Sequence, residues 1–154
     1  MEKPPFTLLL TCAGRKVSLV NQFRQAFDEL DLNGQIIGVD SSTHSAVLSV
    51  CDKSYIIPRC DHPAYVPTLL DVCRRHRVQL LLPLIDVDLL VLAEHRERFR
   101  DIGTLAMVSS LPVVQVCRDK ASTSRFFEER GIPTVRNLSI ADVRCGGVPY
   151  PVFI

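Results

Sequence analysis

Phe6-Thr7-Leu8-Leu9-Leu10-Thr11-Cys12-Ala13-Gly14-Arg15-Lys16-Val17 is the stretch whose reading decides the fold. Phe6 to Cys12 is a nearly continuous apolar run, as a strand buried on both faces requires. A short break containing Gly14 follows. From Val17 the period changes: Leu19, Val20, Phe23, Ala26, Phe27 and Leu30 recur at three-and-four spacing, which predicts a helix from Val17 to Leu32 ended by Asn33-Gly34. Strand, tight break and helix in this order form the unit from which parallel sheets are built.

The alternation continues along the chain. Gln35 to Val39 reads as a second strand that leaves Asp40 at its carboxyl end, and Thr43 to Val50 as a short, weak helix. Lys53 to Ile57 is a third strand stopped by Pro58, and Asp61-His62-Pro63 caps a helix with Val66, Leu69, Leu70 and Cys73 on one face. Val78 to Leu84 is the fourth strand. Asp86 caps a helix running to about Arg100, with Leu89, Leu92, Ala93, Arg96 and Phe99 toward the core and Glu94 paired with Arg98 outside. Thr104 to Ser109 is the fifth strand, Ser110-Leu111-Pro112 starts a short helix, and Asp119 caps another that carries Lys120. The predicted fold is α/β, a doubly wound parallel sheet of about five strands flanked by helices. Its expected extent is residues 1–118; residues 119–154 read as a junction and the beginning of a further domain whose first strand is Tyr150 to Ile154.

Composition narrows the function. With 18 basic and 17 acidic side chains the chain lacks the positive footprint that nucleic-acid binding demands. No apolar stretch is long enough to span a bilayer. The run before Cys12 is too short for a signal peptide and is followed at once by folded patterns. The six cysteines are scattered without the close pairing of a structural zinc site, which fits a reducing, cytoplasmic setting and no metal centre.

Candidate site residues gather where strands end. Gly14, Arg15 and Lys16 sit between the first strand and first helix, where converging amides and two positive charges would suit a carboxylate or phosphate; an ordinary solvated loop fits the same residues. One glycine falls short of the three-glycine dinucleotide fingerprint, which argues against a nicotinamide-dependent protein. Asp40 stands where a ribose-binding acid would stand, yet Asp40-Ser41-Ser42-Thr43 is also ordinary turn chemistry. Asp86 and Asp88 are the one close carboxylate pair at a strand end. Two apart on a helix they do not share a face, so a metal site is not expected, while Asp86 could touch a polar substrate. No histidine, nor the Cys60-Asp61-His62 cluster, reads as catalytic. Lys120 opposes the macrodipole in the first turn of its helix, so something anionic should offset it.

Thr11-Cys12-Ala13-Gly14-Arg15-Lys16-Val17, Ile37-Gly38-Val39-Asp40, Asp52-Lys53-Ser54-Tyr55-Ile56-Ile57-Pro58 and Leu82-Pro83-Leu84-Ile85-Asp86, in that order, resemble the amino-terminal domain of ATP-grasp ligases, above all carbamoyl-phosphate-synthase-like members. Cys117-Arg118-Asp119-Lys120 with Phe126-Phe127 and Gly131-Ile132-Pro133-Thr134 resembles the junction into their ATP-grasp domain. The resemblance implies an ATP-binding role for Lys120, and ATP and Mg2+ as cofactors of the intact enzyme. It implies a small carboxylate as substrate, activated as an acyl phosphate and captured by an amine. The lysine that would follow the last strand and the acidic metal ligands are not in this sequence, so no catalytic residue is assigned. The chain alone is expected to be inactive and to bind no cofactor tightly. The ATP-grasp domain is its expected partner, with self-association through the apolar end as a further one; nucleic acid and membrane are not. A stand-alone module that holds a small anionic metabolite or a partner domain is the alternative.

Overall fold

The computed structural model describes residues 3–135, 137–146 and 148, and the expected strand from Tyr150 to Ile154 lies outside them. The chain divides into two compact units, one up to Val114 and one from Gln115 onward.

In the first unit five parallel strands stand in the order β3-β2-β1-β4-β5. They are β1 (Pro5–Thr11), β2 (Asn33–Asp40), β3 (Lys53–Ile56), β4 (Leu80–Pro83) and β5 (Leu105–Ala106). The central register pairs Leu8 with Ile36 on one side and with Leu80 on the other. The doubly wound α/β fold predicted from the sequence is therefore the fold observed. Alternate residues of each strand point to opposite faces, and the apolar runs supply both. Leu8, Leu10 and Ile36 pack with Val20 and Phe27 of α1 (Val17–Glu29). Leu9, Ile37, Val39 and Leu81 pack with Leu69, Leu70 and Cys73 of α2 (Tyr65–His76) and with Leu92 and Phe99. Each fully buried leucine contributes about 1.5–3 kcal/mol, so these two layers hold the unit together.

Several boundaries differ from the sequence reading. The first helix ends at Glu29, and Asn33-Gly34 opens β2 instead of serving as a turn; Asp31 takes the left-handed conformation there (φ 53°). The α2 helix starts at Tyr65 without a side-chain cap, and Asp61 pairs with Arg59 at 3.5 Å. The weak helix after Asp40 is a single 3-10 turn, Ala46–Ser49. The helix expected up to Arg100 is broken at His95 into α3 (Leu89–Glu94) and α4 (Arg96–Arg100). The bend brings both Leu92 and Phe99 to full burial, and the ion pair on this stretch joins Arg100 to Glu97 at 3.0 Å in place of Glu94 with Arg98. Only Leu105 and Ala106 pair in β5, because the Val108 amide turns back to donate to the Ala106 carbonyl.

The helix α5 (Leu111–Arg118) leads into the second unit, which holds α6 (Lys120–Glu128) and α7 (Ile140–Arg144). Phe126 and Phe127 meet edge-on at 5.9 Å, and the Arg130 guanidinium lies 3.7 Å from the Phe126 ring centre. A reciprocal Ser139–Asp142 capping box starts α7. Among the described residues no helix is long and apolar enough to cross a membrane.

Candidate functional site

Strand order reverses between β1 and β4, whose following helices lie on opposite faces of the sheet, and open α/β sheets bind their ligands beyond the carboxyl ends of the strands at such a switch point. Thr11 ends β1 opposite Pro83 of β4, so the residues after each of them border this switch point.

The β1–α1 loop is built with unusual backbone. Cys12 and Gly14 both have positive φ (49° and 54°). Only glycine visits this region without strain, so Cys12 is held there by its surroundings. Gly14 is tied on both sides: its amide donates to Asp40 Oδ2 at 2.9 Å, and its carbonyl accepts from Ser45 Oγ at 3.0 Å and from the Val47 amide at 3.2 Å. The other oxygen of Asp40 accepts from the Ser42 amide at 3.0 Å. Two residues singled out in the sequence thus meet, but as a clamp. Asp40 is engaged through both oxygens in shaping the loop, the turn chemistry that competed with ribose binding. Arg15 and Lys16 follow with exposed side chains at the start of α1.

The second anchor was not legible as such. Asp88 is fully buried; its Oδ2 accepts from Thr11 Oγ1 at 2.5 Å and from Tyr65 OH at 3.0 Å, while its Oδ1 has no partner among the described residues. Burial raises its pKa against the opposing effect of the Thr11 and Tyr65 hydrogen bonds. Cys12 lies beside it, and burial together with the Asp88 charge pushes that thiol up to about 12, so it is an unreactive thiol at neutral pH. Tyr65 is raised for the same two reasons. One carboxylate therefore joins the end of β1, the first turn of α2 and the entry to α3.

Asp86 is exposed, and its carbonyl only weakly accepts the Leu89 amide at 3.4 Å; the residue at the cap of α3 is Asp88. The capping role assigned to Asp86 is corrected accordingly. A usable signal existed: Asp88 precedes Leu92 by four residues, which puts it on the core side of that helix.

Lys120 lies in the second unit, exposed at the first position of α6, with its carbonyl accepting from Asn137 Nδ2 at 3.3 Å. Asp119 accepts from the Ser122 amide at 2.6 Å, and that bond holds its carboxyl below the usual range. A carboxylate therefore caps the helix end at which Lys120 stands. Among the described residues no three His, Cys, Asp or Glu side chains are grouped as a metal ion would need.

Residues 8–108 match the family model described as the PylC-like, N-terminal domain. The chain belongs to this family. The PylC-like match takes in part or all of each of the five strands, and with it the sequence resemblance stands: this is the amino-terminal domain of the ATP-grasp type. The PylC-like domain is also similar to the biotin carboxylase domain of the Hydrogenobacter thermophilus 2-oxoglutarate carboxylase, solved with MgADP, ADP and bicarbonate (17% identity, 84% of this chain and 28% of that one, TM-score 0.58). It resembles glycinamide-RNase-transformylase T from Mycobacterium tuberculosis (16% identity, 90% and 37% covered, TM-score 0.59). A third likeness is to the biotin carboxylase domain of a single-chain bacterial carboxylase (15% identity, 91% and 33% covered, TM-score 0.59). At these identities the likenesses speak for the fold alone, and the chain spans only 28% to 37% of those structures. No curated protein matches the chain.

Proposed function

We propose that this chain is the amino-terminal domain of an ATP-dependent carboxylate–amine ligase of the carbamoyl-phosphate-synthase-like kind, in which an acyl phosphate is formed and then captured by an amine. The observation that carries the reading is the coincidence of the PylC-like family match with a clamped β1–α1 loop that leads directly into Arg15 and Lys16. In this reading the loop and its two cations receive the carboxylate substrate, and Asp86 is available at the switch point for a polar group. Asp40 acts through Gly14, as a positioning residue. Lys120 serves the nucleotide phosphates once an ATP-grasp domain is present. The role of the chain's own residues is binding and orientation, which suits chemistry that depends on placing and neutralising charged groups.

The described residues do not make a magnesium site, so no step of catalysis is assigned through the metal within this chain. ATP and Mg2+ belong, on this proposal, to the intact enzyme, and the six cysteines without disulfides fit a cytoplasmic one. The isolated chain should neither hydrolyse ATP nor ligate; magnesium-dependent ADP release by the pure protein would overturn that part. Calorimetric titration with amino acids should give saturable binding that falls at least tenfold in Arg15→Ala, as expected for loss of one charge-assisted hydrogen bond worth ~1.5–3 kcal/mol. Unchanged affinity in that variant would remove the loop from the substrate site. Nucleotides should bind weakly or not at all.

A further inference from the structure

A depression lies at the opposite, amino-terminal edge of the sheet, within the first unit. It measures about 510 Å³ and is lined by Arg74, Arg77, Val78, Gln79, Ile102 and Gly103. Its floor is rigid. The Gln79 amide is engaged at both ends, accepting from the Thr7 amide at 2.7 Å and donating to the Pro5 carbonyl at 3.1 Å, and the Val78 carbonyl accepts from Thr104 Oγ1 at 2.8 Å.

Arg74 and Arg77 are both exposed, and both line the depression. Arg75 pairs with Asp71, Arg24 with Asp52 and Arg100 with Glu97, whereas neither Arg74 nor Arg77 has an ion pair or a side-chain hydrogen bond among the described residues. Basic residues at a helix end can be explained by the macrodipole alone. Two features go beyond that explanation. The carbonyls of Cys73 and Arg74 at the end of α2 are already covered by the amides of Val78 and Arg77 (3.0 and 3.3 Å), which blunts the negative helix end. Arg77 also sits in the left-handed conformation at φ 50°, ψ 48°. After α4, α6 and α7 the positive-φ residue is glycine, namely Gly103, Gly131 and Gly146, while after α1 it is Asp31. At Arg77 the chain carries a side chain where glycine would be less strained, and that side chain lines the depression.

We propose that Arg74 and Arg77 form a binding site for a small organic oxyanion, a phosphate or a carboxylate on an apolar body. Guanidinium groups match either oxyanion bidentately, and Val78 and Ile102 supply the apolar wall. The site is separate from the β1–α1 loop, since it lies at the other end of the strands, so its ligand would act as an effector or a second ligand.

The test uses the full chain, thermal-shift titration and NMR shift mapping, with phenyl phosphate, benzoate and inorganic phosphate as probes at matched ionic strength. Phenyl phosphate or benzoate should stabilise the protein saturably, at lower concentration than inorganic phosphate, with shifts at Val78, Ile102 and Gly103. Whichever of the two binds identifies the oxyanion. Arg77→Gly should raise the melting temperature of the free protein, by relieving its backbone, and weaken probe binding at least tenfold; Arg74→Ala should weaken it comparably, and Arg15→Ala should leave it unchanged. No saturable response to any probe, or a response kept in Arg77→Gly, would overturn the site. So would loss of the response in Arg15→Ala alone, which would place the anion at the β1–α1 loop.

Discussion

Asp88→Ala is expected to destabilise the protein by about 3 kcal/mol, because it leaves two buried hydroxyls, Thr11 Oγ1 and Tyr65 OH, without their acceptor at ~1–3 kcal/mol each. Relief of the carboxylate's own desolvation offsets part of this. Asp88→Asn keeps an acceptor in place and should lose roughly half as much. Urea unfolding monitored by far-UV circular dichroism measures both, and a loss below about 1 kcal/mol in the alanine variant would show that the three groups do not form the anchor described. The same residue imposes a pH dependence. Its folded pKa is raised above the ordinary 3.8, so the folded state holds the proton more tightly than the unfolded chain. The stabilisation is therefore fully present below that ordinary value and is lost as pH rises through the folded one. The difference in stability between wild type and Asp88→Asn should shift against the wild type over that interval; a difference constant with pH would contradict the raised pKa.

Gly34→Ala is expected to cost about 3 kcal/mol, at the upper end of ordinary overpacking. A Cβ on Gly34 would stand 1.9 Å from Cδ2 of Phe27. That ring cannot give way easily, being 7% exposed and packed against Phe6 with centroids 5.7 Å apart. For a domain whose total stability is ~5–15 kcal/mol this is a large share, and the variant should show a marked drop in denaturation midpoint. The clash is specific to one pair. Phe27→Leu combined with Gly34→Ala should therefore lose less than the sum of the single variants, since smaller side chains at Phe27 free the space. Strict additivity would place the strain elsewhere.

Gly34 also illustrates why the boundaries were harder to read than the elements. Asn33-Gly34 carries the composition of a turn, and by local chemistry it ends a helix. In the fold its glycine is a strand residue opposite Phe6, where the absence of a side chain leaves room for Phe27. The break at His95 is similar: the apolar spacing from Leu89 to Phe99 fits one helix, and only packing against the sheet shows that two short ones bury both Leu92 and Phe99. By contrast the apolar run from Phe6 to Thr11 and the change of period at Val17 are local signals, strong enough to define β1, α1 and the parallel arrangement.

The candidate site divides along the same line. Its position at the ends of β1 and β2, and the cations Arg15 and Lys16 beside Gly14, were visible from order and spacing. Asp119 was correctly read as a cap, and its hydrogen bond from the Ser122 amide is the contact that makes it one. Asp40 and Asp88 exchanged significance with their neighbours once their partners were known. Asp40 holds Gly14 from 26 residues away in sequence, and Asp88 holds Thr11 from 77 away. What the sequence by itself determined is the α/β class, the existence and order of the strands and the family, because periodicity and motif order are properties of neighbouring residues. Only the tertiary structure decided which carboxylates are buried, which oxygens are already engaged and which arginines stand unpaired, because those depend on groups brought together by the sheet from distant parts of the chain.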